Sequence, residues 1–300
     1  MGHRAVAEDS PGDGARGSRR LGVRSLPPRW RRRWRIGVAS AVAIVLGGSC
    51  FVAIRYVFRE HPGPKSLSVA TKAFKGRASI STGWKLAYDP PAEGVYALKG
   101  QGTEAISLPP LSQRDGAVMP ASVTYLANGC WQWHVDYNVA HWEEYDFCPD
   151  ATQLLLASDR NSQSWDFGAI TVNNLARFTC PPLTVVIPEH PKPAQTLEWS
   201  CTGSNTAAPG RSSAATTARI EGTATLRIRD SIVPTVHELQ RIALTGGQKG
   251  TIIEDWWFAA NSGLPVRMDR HITIRTNSPI GTITYREVGS WQITSLQPQT

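Results

Sequence analysis

Apolar and polar residues alternate with a period of two along much of the chain from Trp84 onward. The clearest case is Ala218 to Arg229. Its even positions are Ala218, Ile220, Gly222, Ala224, Leu226 and Ile228, and its odd positions are Arg219, Glu221, Thr223, Thr225, Arg227 and Arg229. That is a strand with one buried face. Further strands are predicted at Thr235–Leu244, Thr251–Phe258, Pro265–Arg275 and Thr282–Leu296. The turns between them fall at Gly246-Gly247, Asn261-Ser262-Gly263 and Pro279-Ile280-Gly281. Short strands separated by turn residues, with no long helical period, predict a mainly β fold: an antiparallel meander, either a half-barrel or a sandwich. Gly203 to Thr217 is polar and of low complexity, and is read as a surface loop between two candidate halves, 84–202 and 218–300.

A second hairpin is specified in more detail. Asn128-Gly129 is a turn signal after the strand Val123–Leu126. Joining Cys130 to Cys148 across an antiparallel pair sets Trp131 opposite Phe147, Gln132 opposite Asp146, Trp133 opposite Tyr145, His134 opposite Glu144 and Asp136 opposite Trp142. One face then gathers Trp131, Trp133, Val135, Tyr137, Tyr145 and Phe147, which are predicted to be core. Cross-strand aromatic pairs contribute a few tenths to about 1 kcal/mol each.

A different pattern interrupts the chain upstream. Ile36 to Ile54 carries no charge over nineteen residues. As a helix this stretch is roughly 29 Å long, close to the thickness of a bilayer core. It predicts one transmembrane helix at 36–58, an uncleaved signal anchor. The tail at 1–35 is expected to be disordered and basic, and 59–83 is expected to be a stalk rich in Pro and Ser. An extracytoplasmic β domain should occupy 84–300. No small-residue cleavage site follows the apolar stretch. Gly47 stands where a lipoprotein site before Cys50 would need Leu.

Charge sharpens this division. The chain has 32 basic and 24 acidic residues, a formal net charge of +8. Ten Arg lie in 1–35 against only Glu8, Asp9 and Asp13, so 36–300 is nearly neutral. A basic tail beside a neutral folded part argues against nucleic acid as a partner. Positive charge before the span places the N-terminus in the cytoplasm and the C-terminal domain outside the plasma membrane. Trp30, Arg31, Arg32, Arg33, Trp34 and Arg35 are expected at the inner membrane interface, where the Arg run attracts anionic headgroups.

Four cysteines follow the span: Cys130, Cys148, Cys180 and Cys201. An even number outside the cytoplasm points to disulfides. The hairpin register favours 130–148, which leaves 180–201. Each bridge closes a loop of about 20 residues and contributes about 3 kcal/mol in the chain-entropy model. A four-cysteine zinc site would need a C-x-x-C pair, which is missing.

The segment Asp255-Trp256-Trp257-Phe258, then Ser262-Gly263-Leu264-Pro265-Val266-Arg267, is an aromatic strand, a short turn and a G-L-P-V-R return. It resembles hairpins of LolA-type envelope lipoproteins, whose half-barrels carry lipid. With the signal anchor and the Trp131–Tyr137 segment, the chain also resembles membrane-anchored extracytoplasmic proteins of high-GC Gram-positive bacteria. That second resemblance implies no activity for any residue here.

Catalytic motifs are scarce. His237-Glu238 opens an H-E-x-x-H-like string, but Arg241 stands at the second His position. Asp166-Phe167-Gly168 lacks the other kinase motifs, and neither G-x-S-x-G nor a P-loop occurs. The one candidate cluster is acidic. His134, Asp136, Glu144 and Asp146, with Glu143 nearby, are candidates to hold a ligand or a divalent cation. Arg219, Arg227, Arg229, Arg267, Arg270 and Arg275 are expected to form surface ion pairs with Glu221, Glu254, Asp255 and Asp269. These observations predict a non-catalytic binding or scaffold module, without cofactor. Its candidate partners are the membrane and a lipid, a glycan or an envelope protein. The alternatives are a lipid carrier and a hydrolase using the 134–146 cluster.

Overall fold

The computed structural model describes residues 62–76, 90–150, 152–168, 170–278 and 281–299, with only the backbone of Pro209. The predicted tail, the span at 36–58 and the interface residues Trp30 to Arg35 lie outside the described residues. Among the described residues, no helix is long and apolar enough to cross a membrane.

Among the described residues, thirteen antiparallel strands follow one short helix, α1 (Leu67–Lys75). They are β1 (Gly94–Ser107), β2 (Pro110–Arg114), β3 (Val118–Tyr125), β4 (Trp131–Asn138), β5 (His141–Pro149), β6 (Leu154–Asp166) and β7 (Thr171–Ile187). Then come β8 (Thr196–Asn205), β9 (Ala208–Ile228), β10 (Ser231–Gly246), β11 (Gln248–Ala259), β12 (Pro265–Ser278) and β13 (Gly281–Ile293). From β3 onward each strand pairs with the next, as a meander should. β2 and β3 lie end to end against β1, interrupted at Asp115-Gly116-Ala117.

The expected half-barrel or sandwich is corrected by the last strand. β13 pairs back on β1 from Leu98↔Ile293 to Ile106↔Tyr285, which closes the sheet into a 12-stranded barrel. Closure pairs the N–H and C=O groups that two open edges would leave bare. Alternation reports only which face of a strand is buried. An open sheet and a closed one share the same pattern.

Gly203 to Thr217 is not a loop. It supplies the end of β8 and the first half of β9, which turn over at Thr206-Ala207. Ser212, Ala214 and Thr216 are buried, in phase with Ala218 and Ile220. Small residues hid this alternation, because Ala and Thr carry little hydropathy contrast. The stalk expectation is also revised. Ser66 caps α1 by accepting from the Val69 N–H. Just before it, Gly63 accepts from the Val139 N–H at 3.0 Å, and Lys65 pairs with Asp136 at 2.9 Å. This part of the segment therefore packs on the barrel.

The predicted hairpin register holds at every named pair, with an irregularity between Asp136 and Asn138. Both disulfides, Cys130–Cys148 and Cys180–Cys201, are formed. The aromatic face of β4 and β5 points into the barrel. Trp131 packs on Phe147 at 4.8 Å between ring centres, and Trp133 on Trp291 at 6.0 Å. These rings join Tyr96, Trp256, Phe258 and Met268 in a solid apolar plug.

The inward positions of single strands show how the lumen changes along its axis. On β12 they run Val266, Met268, Arg270, Ile272, Ile274; on β11, Phe258, Trp256, Glu254, Ile252; on β5, Phe147, Tyr145, Glu143, His141. An apolar plug thus gives way to a charged layer, and the charged layer to an aliphatic wall.

Candidate functional site: the barrel lumen

Beyond the charged layer the barrel is hollow. A cavity of about 230 Å³ lies between β5–β13. At about 30 Å³ per water this would hold on the order of eight waters, so it is more than a packing defect. Its walls are Val172, Phe178, Trp199, Ile242, Leu244, Ile252, Ile272, Ile274 and Ile283. Near its rim Ile106, Leu111 and Trp165 pack together. Its floor carries Glu143, Asp159, Glu254 and Glu287, with Tyr145, Tyr285, Asn161, Gln163 and Gln240.

The floor is held by a buried ionic network. Arg270, 1% exposed, donates from Nη1 to Glu143 Oε2 at 2.6 Å and pairs through Nη2 with Glu287. Its guanidinium lies 4.1 Å from the centre of the Tyr137 ring. Glu143 also accepts from Tyr137, Tyr145 and Asn161. Next to it, His141 Nδ1 lies 2.8 Å from Glu104 Oε1, and Gln113 donates to Glu104 Oε2 at 3.0 Å.

Burial and charge divide these acids into two kinds. Burial pushes both Glu143 and Glu104 up. Against it, Arg270 and His141 hold Glu143 far below the usual carboxylate range, and His141 with Gln113 lowers Glu104. Both are anions. The other acids stay high because burial dominates. Glu254 is pushed up to about 7, Asp159 to about 8 and Glu287 to about 8, and Glu238 is raised well above its ordinary value. Two anions therefore face two cations, since Glu104 raises His141 against the cost of its burial.

The closing seam has its own device. Gly102 on β1 faces Gly289 on β13, and the Asp115 carboxyl sits in the gap the two leave. A Cβ at Gly102 would collide with it. Desolvation, helped by the nearby Glu104 charge, raises Asp115 to about 6. Glu104, Asp115 and His141 are the one group of three metal-capable side chains converging among the described residues. Glu104, however, already accepts from several neutral donors and from His141.

The sequence-predicted cluster lies elsewhere. His134, Asp136, Glu144 and Asp146 do come together, on the side of β4 and β5 facing away from the lumen. His134 Nδ1 is 3.0 Å from Glu144 and its Nε2 3.1 Å from Asp136. Lys65 pairs with Asp136 and Arg160 with Glu144, each at 2.9 Å, while Asp146 accepts from Gln132 and Ser158. Two of the expected surface ion pairs form, Arg219–Glu221 and Arg267–Asp269. Arg270 and Glu254 do not belong to that surface set. They are buried in the lumen, and this corrects the expectation. The signal was present in the phase: Arg270 shares its register with Met268 and Ile272, and Glu254 with Ile252 and Trp256. Glu104, Asp159, Glu238 and Glu287 were missed for the same reason.

Fold and site together define a closed antiparallel β-barrel, plugged at one end and hollow at the other. No family model matches the chain, and no curated protein matches it. Among solved structures it is similar to a hypothetical lipoprotein, YmcC, from Escherichia coli (K12), at 11% identity and a TM-score of 0.29, over 67% of this chain and 85% of that one.

Proposed function

We propose that this chain is a non-catalytic binding module of the cell envelope, on the outer side of the plasma membrane, that holds a small, largely apolar ligand in its barrel. One observation carries the reading: the hollow half of the lumen has an aliphatic wall set above a polar floor. Binding cavities of small molecules have this composition, apolar surface with a few convergent polar groups. The two disulfides support the extracytoplasmic placement, because such bonds persist in oxidising compartments.

The test is native mass spectrometry of the full chain, with an apolar fluorescent probe as a second readout. The expected result is a stoichiometric adduct that organic extraction removes and that Ile274→Trp, which fills the cavity, abolishes. A chain with neither adduct nor probe uptake, or one whose uptake is indifferent to Ile274→Trp, overturns the reading.

A further inference from the structure

The chemical class of the ligand can be read from the same cavity, and this inference rests on the luminal binding reading. The floor holds more carboxyls than cations. Arg270 is committed to Glu143 and Glu287, and His141 to Glu104. Asp159 and Glu254 remain on the floor, and Glu238 lies near Glu254 outside the cavity lining. Asp159 projects from β6 into the cavity, is half-buried there, and its carboxyl has no hydrogen-bond partner among the described residues. Glu254 lines the same cavity, and one of its oxygens accepts from Trp256 Nε1 at 2.9 Å. Glu238 accepts from Gln240 on one oxygen, and its other oxygen is buried without a partner.

A buried acceptor that no protein donor satisfies destabilises the fold. It marks a place where a ligand donor would be stabilised. A metal ion is the poorer fit, because these three carboxyls do not converge on one point as a single ion requires, whereas Glu104, Asp115 and His141 do. An anionic head would meet the Glu143 carboxylate, while the nearby Arg270 guanidinium is already committed to Glu143 and Glu287.

We propose that the lumen binds an organic ammonium: an amphiphile whose –NH₃⁺ sits at Asp159 and Glu254 and whose apolar body lies against Ile252, Ile272 and Ile274. An ammonium brings three donors and no acceptor, which matches a floor rich in acceptors. In the free barrel Asp159 is mostly protonated near neutral pH, through burial first and then the charges of Glu143, Glu254 and Asp146. When the ammonium enters, the Asp159 O–H bond breaks, its proton leaves to solvent, and a carboxylate–ammonium pair replaces the neutral acid. Among the titratable and polar groups that line the cavity with Asp159 are Glu143 and Tyr145 from β5, Gln240 from β10, Glu254 from β11, and Tyr285 and Glu287 from β13.

The experiment is calorimetric titration of the full chain in lipid nanodiscs, with empty nanodiscs as the blank, at neutral pH. The probes are octylammonium, octanol and octanoate. Octylammonium should bind at least about ten-fold tighter than octanol, a difference of about 1.4 kcal/mol. Its heat should vary with buffer in the sense of proton release. Asp159→Asn should remove the preference for the amine and the proton release, with an unchanged circular-dichroism spectrum showing that the variant is folded. If octanol or octanoate binds as tightly as the amine, or Asp159→Asn leaves the amine unaffected, the ammonium assignment falls and the luminal site stands. If none of the three probes binds, the luminal site falls too.

Discussion

Arg270 is the residue on which the interior depends most, and its removal gives the sharpest test of the charged layer. The substitution is Arg270→Met, close in volume and without charge. In the native barrel Arg270 holds Glu143 at 2.6 Å and also contacts Glu287. Without it, Glu143 keeps its neutral donors Tyr137, Tyr145 and Asn161, while the next cation, His141 Nε2, is 3.8 Å away. Removing one partner of a buried pair costs about 3–5 kcal/mol, because the remaining charge has no compensation. Glu143 would escape part of that cost by taking a proton, so the loss should be larger at high pH. A second substitution, Glu143→Gln, removes the stranded charge. The double variant should therefore recover a large part of the loss, with a coupling on the order of 1–3 kcal/mol. The assay is urea unfolding of the disulfide-intact chain followed by tryptophan fluorescence. An Arg270→Met loss below about 1 kcal/mol, or strictly additive single and double variants, would refute the idea that the layer is an electrostatically coupled unit.

Other consequences can be checked in the same assay. Asp159 and Glu254 have pKa values raised by burial, so the native barrel binds protons there that the unfolded chain releases; their contribution is complete below about pH 4 and is lost as pH rises to about 8. Burial lowers His141 but Glu104 overrides it and raises it, so His141 acts in the same direction above its unfolded value; stability should fall between about pH 6 and pH 8, and Asp159→Asn should flatten that slope. A rising or level profile over that window would contradict these protonation states. Gly102→Ala pushes a methyl group into the Asp115 carboxyl at the closing seam and should cost about 1–3 kcal/mol, read as a lower thermal midpoint. An unchanged midpoint would mean that the seam yields freely. Replacing both Cys180 and Cys201 by Ser opens a loop with a sequence separation of 21 and should cost about 3 kcal/mol. If reductant lowers the wild-type midpoint no further than that of this variant, the 130–148 bridge contributes nothing measurable.

Local strand pairing is legible in the chain alone. Cysteine spacing and the alternation from Trp131 to Phe147 allow one register, because a slip by one residue would turn six apolar side chains out of the core. The C-terminal meander was legible for the same reason, with apolar side chains in phase and Gly-bearing turns between them. Three things were decided only by the tertiary structure. Closure depends on β1 meeting β13, a contact between residues almost two hundred positions apart, which no local period encodes. The small-residue stretch from Gly203 to Thr217 becomes strand because β8 and β10 flank it, not because its own hydropathy demands it. The charged layer is the third. Arg270, Glu143 and Glu287 each stand in an inward phase, but one charge in an apolar register looks like an exception to be placed at the surface. Only when the barrel brings charges from several strands to one level do they satisfy one another, and only then is burying them physically affordable.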